Sequence, residues 1–380
     1  MIDILDDVDR WLTAGRRVVL STVVAIEGSG PRGPGAHMAV NDLGQIAGSV
    51  SGGCIEGAVV SESLDLLRPG TTPQTRSVSY GISDPLAMSV GLTCGGTVHL
   101  FLETIDAATV GPVHRALRDA LRSDSPLAVC TIVGVHDGAV QVGAKLAVQP
   151  GVPGDPLIGS LGDPDLDRRV AREAPALLAR GRTEQREFTV PDDSPQGPPE
   201  AATATVFIES FATRPHLVAF GAIDVTRALV RLAGVLGYRT TVCDPRAPFA
   251  TVERFPEADE VVVDWPHRYL ERTCVDDRTV ICVLTHDPKV DVPALVAAVT
   301  TPAGYIGAMG SRRTTADRVP RLREAGLDDA ALSRIASPIG LDLGARTPEE
   351  TALAILAEVV ALRAGRHGGR LADGTGSIHA

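Results

Sequence analysis

The sequence predicts an α/β protein, with an N-terminal α/β domain that contains an internal repeat and a C-terminal Rossmann-like domain with a parallel sheet. Three observations indicate this class. The 380 residues exceed what one typical hydrophobic core organises, segments of the first half recur at near-constant spacing, and the second half alternates strand-like with helix-like segments. We therefore expect one domain at residues 1–211 and another at 212–380.

The composition is that of an acidic globular protein. Apolar residues make up 44% of the chain and charged residues 22%, and the formal net charge is -11. A nucleic-acid partner requires a basic face that releases counterions from phosphate, so we expect no nucleic-acid binding. An anionic ligand has to be held by local groups instead.

We expect a cytoplasmic protein that does not associate with membranes. Residues 1–10 carry four acidic residues and lack the pattern of a signal or transit peptide. No run of 18 apolar residues occurs. The six cysteines form no C-x-x-C pair and no zinc-type spacing, which indicates free thiols in a reducing compartment.

The first elements are a helix and a strand, and the region that follows is a duplicated unit. Helical spacing of apolar residues precedes a β-rich run at residues 18–26. A strand-hairpin-helix-strand pattern then occurs twice, as expected of a repeat. Four pairs of segments match at offsets of 108 to 111 residues: 22–24 with 131–133, 35–40 with 143–148, 48–49 with 159–160, and 70 with 181.

The two copies differ where ligand chemistry is expected. Copy one alone carries the segments 27–34, 51–57 and 92–96, which are rich in glycine or contain cysteine. In copy two Cys54 corresponds to Asp165, and the Cys-Gly-Gly turn is missing. The shared residues are therefore the scaffold, and the additional turns are candidates for binding.

The turn Ser51-Gly52-Gly53-Cys54 precedes a helix-compatible stretch at residues 55–67. A turn that opens a helix directs backbone N–H groups at its mouth, and the helix dipole favours the thiolate of a cysteine there. Soft thiolates suit molybdenum or sulfur better than magnesium or calcium. We predict that these four residues bind a cofactor and that Cys54 is a metal ligand. Alternatively, Cys54 is a small buried hydrophobic residue.

Two further segments of copy one are candidates. The turn at residues 92–96 offers Cys94 as a second thiol, and Gly95 permits close approach of a ligand. The proline-stiffened loop at residues 27–37 contains Glu27, Arg32 and His37. Irregular loops on rigid scaffolds often bind ligands. Burial of the thiol and a solvated loop closure are the respective alternatives.

The second half has the pattern of a doubly wound fold. Residues 190–202 hold four prolines and several acids, which predicts a linker. Strands and helices then alternate, and a capping pattern at residues 347–350 predicts the start of the last helix. This alternation indicates a mostly parallel sheet that is covered on both faces.

The glycine loop of this domain departs from the dinucleotide-binding pattern. Gly221-Ala222-Ile223-Asp224-Val225-Thr226 lies between a strand and a helix, and Asp244 follows at the separation expected of a ribose-binding acid. The middle glycine is missing, Ile223 stands where the backbone should approach a pyrophosphate, and Asp224 adds negative charge. We predict the fold, and Gly221 and Asp244 as ligand contacts, but no ordinary NAD(P) binding.

Two other segments are predicted to lie at the ligand edge of the sheet. Thr285 and His286 close a strand, and ligands of such folds bind beyond the carboxyl ends of the strands. The run at residues 307–313 combines glycines with a hydroxyl and two guanidinium groups, which suits an anion. The candidates there are Gly310, Ser311, Arg312 and Arg313, although the two arginines fit a solvated helix equally well.

Taken together, these motifs resemble the XdhC/CoxI family of xanthine dehydrogenase accessory proteins. The matching segments follow the family order across nearly the whole chain: 27–36, 48–57, 91–96, 285–287, 305–311 and 338–344. The Ser-Gly-Gly-Cys and Pro-Ile-Gly-Leu-Asp motifs are specific, and the resemblance adds Glu56 and Asp342 to the candidate site. The family's usual Gly-Ala-Gly-His-Val-Ala is altered at residues 221–226, which read Gly-Ala-Ile-Asp-Val-Thr.

The resemblance implies a two-domain chaperone that carries a molybdenum-molybdopterin cofactor and guards it during sulfuration. It implies two partners, a cofactor sulfurase and a xanthine-dehydrogenase-like apoenzyme that receives the cofactor, and we also expect a homo-oligomer. A non-enzymatic accessory protein is the favoured interpretation. The alternatives are an NAD(P)-linked oxidoreductase or dehydrogenase component, which the altered loop disfavours, and a scaffold that binds neither ligand.

Overall fold

The computed structural model describes residues 1–28, 30, 32–68, 70, 74–81, 96–136, 140–150, 157–190 and 202–374. These residues fall into two compact units, 1–213 and 214–374. None of the helices in the described part of the chain is long and apolar enough to cross a bilayer.

Unit 1 consists of two similar α/β layers. The first contains α1 (Ile2–Thr13), β1 (Val18–Glu27), β2 (His37–Asn41), β3 (Ile46–Gly48), α2 (Glu56–Leu66), β4 (Thr75–Tyr80) and β5 (Thr97–Ile105). The second contains α3 (Pro112–Ser123), β6 (Leu127–His136), β7 (Lys145–Val148), β8 (Leu157–Ser160), α4 (Pro164–Ala179), β9 (Glu184–Val190) and β10 (Ala202–Phe211).

The two antiparallel sheets confirm the internal repeat. Their strand orders are β3-β2-β1-β5-β4 and β8-β7-β6-β10-β9, which are identical once the second copy is renumbered. The register agrees as well, since Thr22 faces His37 in the first sheet and Thr131 faces Lys145 in the second. The repeat also extends to the preceding helices, because α1 packs on β2 and β3 as α3 packs on β7 and β8.

Each copy has its own apolar core, and the two sheets also meet. Helix α2 packs on one face of the first sheet through Val59 and Leu66, and α4 packs on the second through Val170 and Leu178. A smaller cluster joins the copies through both sheets. Its buried members are Val24, Phe101, Val133 and Phe207.

Unit 2 has the predicted Rossmann-like architecture. Its elements are β11 (His216–Phe220), α5 (Asp224–Val235), β12 (Arg239–Cys243), β13 (Glu260–Val262), α6 (Pro266–Arg272), β14 (Val280–Val283), α7 (Pro288–Val299), β15 (Tyr305–Ala308), α8 (Arg312–Glu324), α9 (Asp329–Ser333), β16 (Ile335–Ala336) and α10 (Pro348–Arg363). The six strands are all parallel, in the order β13-β12-β11-β14-β15-β16. Chain order reverses between β11 and β14, which is where such sheets bind ligands.

Helices cover both faces of this sheet. Residues of α6, α7 and α8 pack on one face around Phe220 and Ile281. Residues of α5 and α10 pack on the other face around Leu217 and Cys282. The predicted cap of α10 is confirmed, because Thr347 and Glu350 form a reciprocal capping box. The strand runs of this half lack polar alternation because both of their faces are buried.

Candidate functional site

In unit 1 the predicted anion-binding turn is filled by the protein's own carboxylate. Glu56 accepts hydrogen bonds from the Ser49 and Ser51 hydroxyls, both at 2.6 Å, and from the backbone N–H groups of Ser51 and Gly53, both at 2.9 Å. Helix α2 begins at Glu56, so the carboxylate lies in its first turn. Of the N–H groups that the sequence assigned to a ligand, those of Ser51 and Gly53 therefore bind Glu56. Those of Gly52 and Cys54 donate to the hydroxyls of Ser49 and Ser51.

This arrangement belongs to the repeated scaffold. Burial alone would raise the pKa of Glu56, but the hydrogen bonds from Ser49 and Ser51 lower it to about 2. In copy two Asp167 occupies the same place, and it accepts hydrogen bonds from the Ser160 hydroxyl and the Leu161 N–H, both at 2.7 Å. Glu56 thus has a structural role that the sequence comparison of the copies did not recognise.

Cys54 lies two residues before helix α2 and packs partly against the core of the first copy. Its N–H donates to the Ser51 hydroxyl at 3.0 Å. The neighbouring Gly52 and Gly53 are exposed and have positive φ, and a side chain on either would meet no atom within 4 Å. Space is thus open beside Gly52 and Gly53. Cys94 and Gly95 lie outside the described residues.

The predicted loop residues of copy one separate from one another. Glu27 ends β1 with its side chain 75% exposed, 3.3 Å from the ring of His99, and Arg32 is exposed in the loop. His37 instead begins strand β2 and is buried. Its Nδ1 is hydrogen-bonded to the Thr22 hydroxyl at 3.0 Å and its Nε2 to Glu209 at 2.5 Å, so neither ring nitrogen remains for a ligand.

The partner of His37 comes from copy two, and copy two returns the interaction. Lys145 corresponds to His37 in the repeat, and its Nζ lies 3.1 Å from a carboxylate oxygen of Glu103 in copy one. Burial would raise the pKa of Glu103, but Lys145 and His114 lower it to about 2. These groups surround a cavity of about 30 Å³, which is room for a water molecule and not for a cofactor.

Unit 2 contains an open pocket at the carboxyl edge of its parallel sheet. Its volume is about 650 Å³, within the range of small-molecule sites. The ends of β11, β12, β13 and β14 position the lining residues. These are Ile223, Asp244, Pro245, Arg246, Trp265, Leu284, Thr285, His286, Asp287, Pro288 and Val290. Apolar side chains thus surround a few charged and polar groups.

Asp244 is fully buried and its carboxylate is saturated by internal donors. The Ala222 N–H donates to it at 2.8 Å, and Arg246 donates through its backbone N–H, Nε and Nη2 at 2.7 to 2.9 Å. Burial would raise the pKa of Asp244, but these hydrogen bonds lower it. The carboxylate that the sequence assigned to a ribose is thus occupied by Arg246.

The glycine loop approaches β14 closely. Gly221 has a φ of +113°, and a Cβ there would lie 2.8 Å from a methyl group of Thr285. Only glycine fits such a position without displacement. Ile223 caps α5 without a side-chain hydrogen bond and lines the pocket, while Asp224 is the first helical residue. The apolar side chain therefore stands where a pyrophosphate would need free N–H groups.

A buried network links the pocket to the neighbouring loop. The Thr285 hydroxyl is hydrogen-bonded to Asp291, and Arg318 lies 3.2 Å from the other oxygen of that carboxylate. Arg318 also donates to the Met309 carbonyl at 2.7 Å and to the Ser337 hydroxyl at 3.1 Å. Burial raises the pKa of Asp291, and its bonds with Thr285 and Arg318 oppose this effect. Thr285 is thereby held in place.

The residues from 310 to 313 do not line the pocket but lie beside this network. Gly310 has positive φ, and Ser311 caps α8 through the Thr314 N–H at 3.0 Å. Arg312 and Arg313 occupy the exposed first turn of α8. Asp342, also exposed, lies 3.9 Å from Arg312. Both arginines are therefore accessible to a ligand.

Among the pocket residues that the sequence did not indicate are Arg246 and Trp265. Arg246 follows the predicted acid by two positions, a placement that could have indicated its internal partner. Trp265 is one of two tryptophans and lies directly before helix α6, with 38% of its surface exposed. Within the described ranges no three His, Cys, Asp or Glu side chains are grouped to hold a metal ion.

Comparison with known proteins gives two family matches. Residues 11–81 and 120–189 match the XdhC and CoxI family, and residues 217–359 match the XdhC Rossmann domain. The first match falls once in each copy of the repeat. Together the two matches cover most of both units.

Relatives of known name align over almost the whole chain. A probable xanthine dehydrogenase subunit from Bacillus subtilis is 26% identical over 93% of this chain and 96% of its own length. The molybdenum cofactor insertion chaperone PaoD of Escherichia coli is 27% identical over 93% of this chain and 85% of its own. A crystal structure of a xanthine dehydrogenase from Bacillus halodurans shares the fold, with a TM-score of 0.67, 22% identity and coverage of 98% and 97%.

Proposed function

Because the chain belongs to the XdhC and CoxI family, we propose that it carries the molybdenum cofactor and inserts it into a xanthine-dehydrogenase-like apoenzyme. The names of its relatives, an insertion chaperone and a dehydrogenase subunit, support this role. A cofactor sulfurase and a second copy of the chain complete the proposed set of partners, and the cytoplasm is the proposed location.

One observation carries the proposal. The pocket of about 650 Å³ at the carboxyl edge of the sheet of unit 2 is large enough for a small molecule, and the glycine loop at residues 221–226 beside it departs from the dinucleotide-binding pattern. Ile223 and the internally bound Asp244 remove two contacts on which a dinucleotide depends. The space and the polar groups at its rim remain. The pocket is therefore suited to a ligand that does not require the glycine loop.

In this proposal the cofactor is cargo, and the protein's task is to hold and release it. Thr285 and His286 line the pocket, and the Thr285 hydroxyl is held in place by its hydrogen bond to the Asp291 carboxylate. Independently of this pocket, Cys54 of unit 1 is proposed as a soft ligand for molybdenum or sulfur. No proton transfer or redox step by the chain itself is required, so we propose a non-enzymatic accessory protein.

The test is stoichiometric loading and transfer. Full-length protein purified without oxygen from cells that make the cofactor should contain molybdenum and pterin in equal amounts, as measured by elemental analysis and pterin fluorescence. When it is mixed with a cofactor-free xanthine-dehydrogenase-like enzyme, the activity of that enzyme should rise and saturate near one carrier per site. His286→Ala should reduce transfer, whereas His367→Ala, an exposed histidine outside the pocket, should not.

Two outcomes would refute the carrier role. Absence of molybdenum and pterin, combined with no activation of the apoenzyme, would leave only a scaffold. Substrate oxidation by the chain itself with NAD would support the oxidoreductase alternative.

A further inference from the structure

Helix α10 is apolar on its solvent side as well as on its core side. Between Glu350 and Arg363 its single charged residue is Glu358. That carboxylate is turned inward, because it accepts hydrogen bonds from the Tyr305 hydroxyl and, at 2.8 Å, from the Gly340 N–H. A helix that is apolar all round is normally buried on all sides. The solvent side of α10 thus lacks the polar residues that a surface helix carries.

One row of apolar residues runs along this solvent side. Leu353 is 54% exposed and Val360 is 38% exposed, and Ala357 lies between them in the sequence. Residues that are three or four positions apart lie on the same side of a helix, so these three residues form a continuous row. Exposed apolar patches with a polar rim mark interaction surfaces.

Helix α5 widens this apolar surface. It packs beside α10 on the same face of the sheet. Burial raises the pKa of Tyr238, which follows α5, and Arg363 lowers it, so the C-terminal ends of the two helices lie together. Val235, the last residue of α5, is 83% exposed, and Leu236 after it is exposed as well. We define the outer face as Val235, Leu236, Leu353, Ala357 and Val360.

The two ends of α10 carry opposite charges. Glu349 is exposed in its first turn and Arg363 is exposed in its last turn. If two copies of α10 pair antiparallel, each glutamate lies opposite the arginine of the other copy, and Leu353 lies opposite Val360, because both pairs are centred close to Ala357. The small side chain of Ala357 allows the axes to approach to about 8–10 Å. The face is therefore complementary to itself, as a twofold interface requires, whereas a parallel pair would oppose like charges.

We propose that the outer face binds a second copy of this chain, with the two α10 helices antiparallel across a twofold axis near Ala357. The inference rests on the proposed function in one respect, the second copy among the partners, and assigns the surface that this copy uses. None of the five residues of the outer face lines the pocket of unit 2, so both pockets of the dimer keep their full lining.

Sedimentation velocity ultracentrifugation of the full-length protein tests the outer face. At micromolar concentration the wild-type protein should have twice the mass of the 39.7 kDa chain. Leu353→Asp buries a carboxylate in an apolar interface. Because a twofold interface contains the substitution twice, a loss of about tenfold per site becomes about a hundredfold in the dissociation constant. Val252→Asp, at a comparably exposed residue in a turn outside both helices, should remain a dimer.

Charge reversal tests the antiparallel arrangement. Glu349→Lys and Arg363→Glu each place like charges opposite one another at both ends of the dimer, so each should weaken association about tenfold. Both substitutions in one chain restore opposite charges between antiparallel copies, so association should return to the wild-type strength. The two positions are about 21 Å apart along one helix and cannot compensate within a copy. Both substitutions also oppose the helix dipole, so a loss of helix stability would add in the double variant instead of being reversed.

Three results would overturn the proposal: a monomeric wild-type protein, a Leu353→Asp variant that dimerises as tightly as the wild type, or a double charge variant that associates as weakly as the single ones. A Leu353→Asp variant that stays dimeric but no longer activates the apoenzyme would assign the outer face to the client enzyme instead. If the dimer behaves as expected and no apoenzyme is activated, the carrier function fails and the assignment of this face stands.

Discussion

His37 and Glu209 are hydrogen-bonded at 2.5 Å although 172 residues separate them, and each comes from a different copy of the repeat. The reciprocal pair, Lys145 and Glu103, lies at 3.1 Å. Each copy thus contributes a cationic or titratable group from its hairpin and a glutamate from its last strand. Because the side chains are almost buried, the two pairs couple the stability of the copies.

The first prediction concerns this coupling. Glu103→Gln leaves the Lys145 ammonium buried without its counter-charge, so we expect a loss of about 3–5 kcal/mol in the free energy of unfolding of unit 1. The double variant Glu103→Gln with Lys145→Met should recover most of it, since both charges are gone. Urea unfolding followed by Trp11 fluorescence in a Trp265→Phe background measures the change. Glu62→Gln, which breaks the more exposed pair with Arg76, should cost about 1 kcal/mol or less.

The second prediction is a pH dependence of the same unit. Lys145 and His114 overcome the effect of burial and lower the pKa of Glu103 from an ordinary 4.5 to about 2. A carboxylate whose pKa is depressed in the folded state stabilises the fold above its unfolded pKa, and this contribution is lost as the pH falls from about 4.5 toward 2. The free energy of unfolding should therefore fall steeply in this interval. The slope should be shallower in Glu103→Gln, and an unchanged slope would contradict the assignment.

The repeat could be predicted from the sequence because matched segments keep a constant offset, and the strands of unit 2 because their apolar runs are short and well bounded. The pairing of His37 with Glu209 could not be predicted from the sequence, because it depends on how the two sheets of unit 1 pack against each other. Its neighbours in sequence, two prolines and several glycines, indicated a loop, whereas the residue begins β2. Local patterns do not report such long-range partners.

The candidate site shows the same division. Glycine turns, Asp244, Thr285 and His286 were found from their order along the chain, and the last three line one pocket. The sequence did not reveal that the Glu56 carboxylate accepts hydrogen bonds from the turn before α2, or that Asp244 accepts them from Arg246. A motif specifies residue types but not which side chain of the folded protein becomes their hydrogen-bond partner. Whether a charged side chain forms its hydrogen bonds within the protein depends on the three-dimensional fold, which a local motif does not specify.

The third prediction concerns nucleotide binding. NAD and NADP should not bind at sub-millimolar concentrations, because Ile223 blocks the approach of a pyrophosphate and Asp244 is already hydrogen-bonded to Arg246. Ile223→Gly combined with Asp224→His restores the space and removes a negative charge, so nucleotide affinity should increase. Isothermal titration calorimetry measures both. Micromolar binding of either nucleotide to the wild-type protein would contradict this view of the loop.

The fourth prediction concerns Arg312 and Arg313, which lie in the first turn of α8 where the helix dipole disfavours cations. Replacing both with alanine should leave the melting temperature within a few degrees and should reduce the molybdenum retained after gel filtration. Arg321→Ala with Arg323→Ala, at the favourable end of the same helix, is the control that should retain molybdenum. If both double variants retain the same amount of molybdenum, Arg312 and Arg313 are surface residues that do not contact the cofactor.

The last prediction concerns Cys54 as the reactive thiol. Burial raises the pKa of Cys130 and Cys243 to about 12 and that of Cys282 further. Among the described thiols, this leaves half-buried Cys54 and exposed Cys274 as accessible. Cys54 also lies beside the open space at Gly52 and Gly53, so we expect it to be alkylated well before the buried thiols at neutral pH and to be protected by bound cofactor.

Peptide mapping by mass spectrometry after brief alkylation at several pH values compares Cys54 with Cys274, which controls for exposure, and with Cys130, which controls for burial. Cys54→Ser keeps the size of the side chain but removes the soft ligand, so transfer of cofactor to the apoenzyme should be abolished while the melting temperature is retained. Cys274→Ser should transfer normally. If Cys54 reacts no faster than Cys130, or if Cys54→Ser still loads the apoenzyme, the thiol is only a small apolar residue that packs beside α2, and the glycines next to it serve the turn alone.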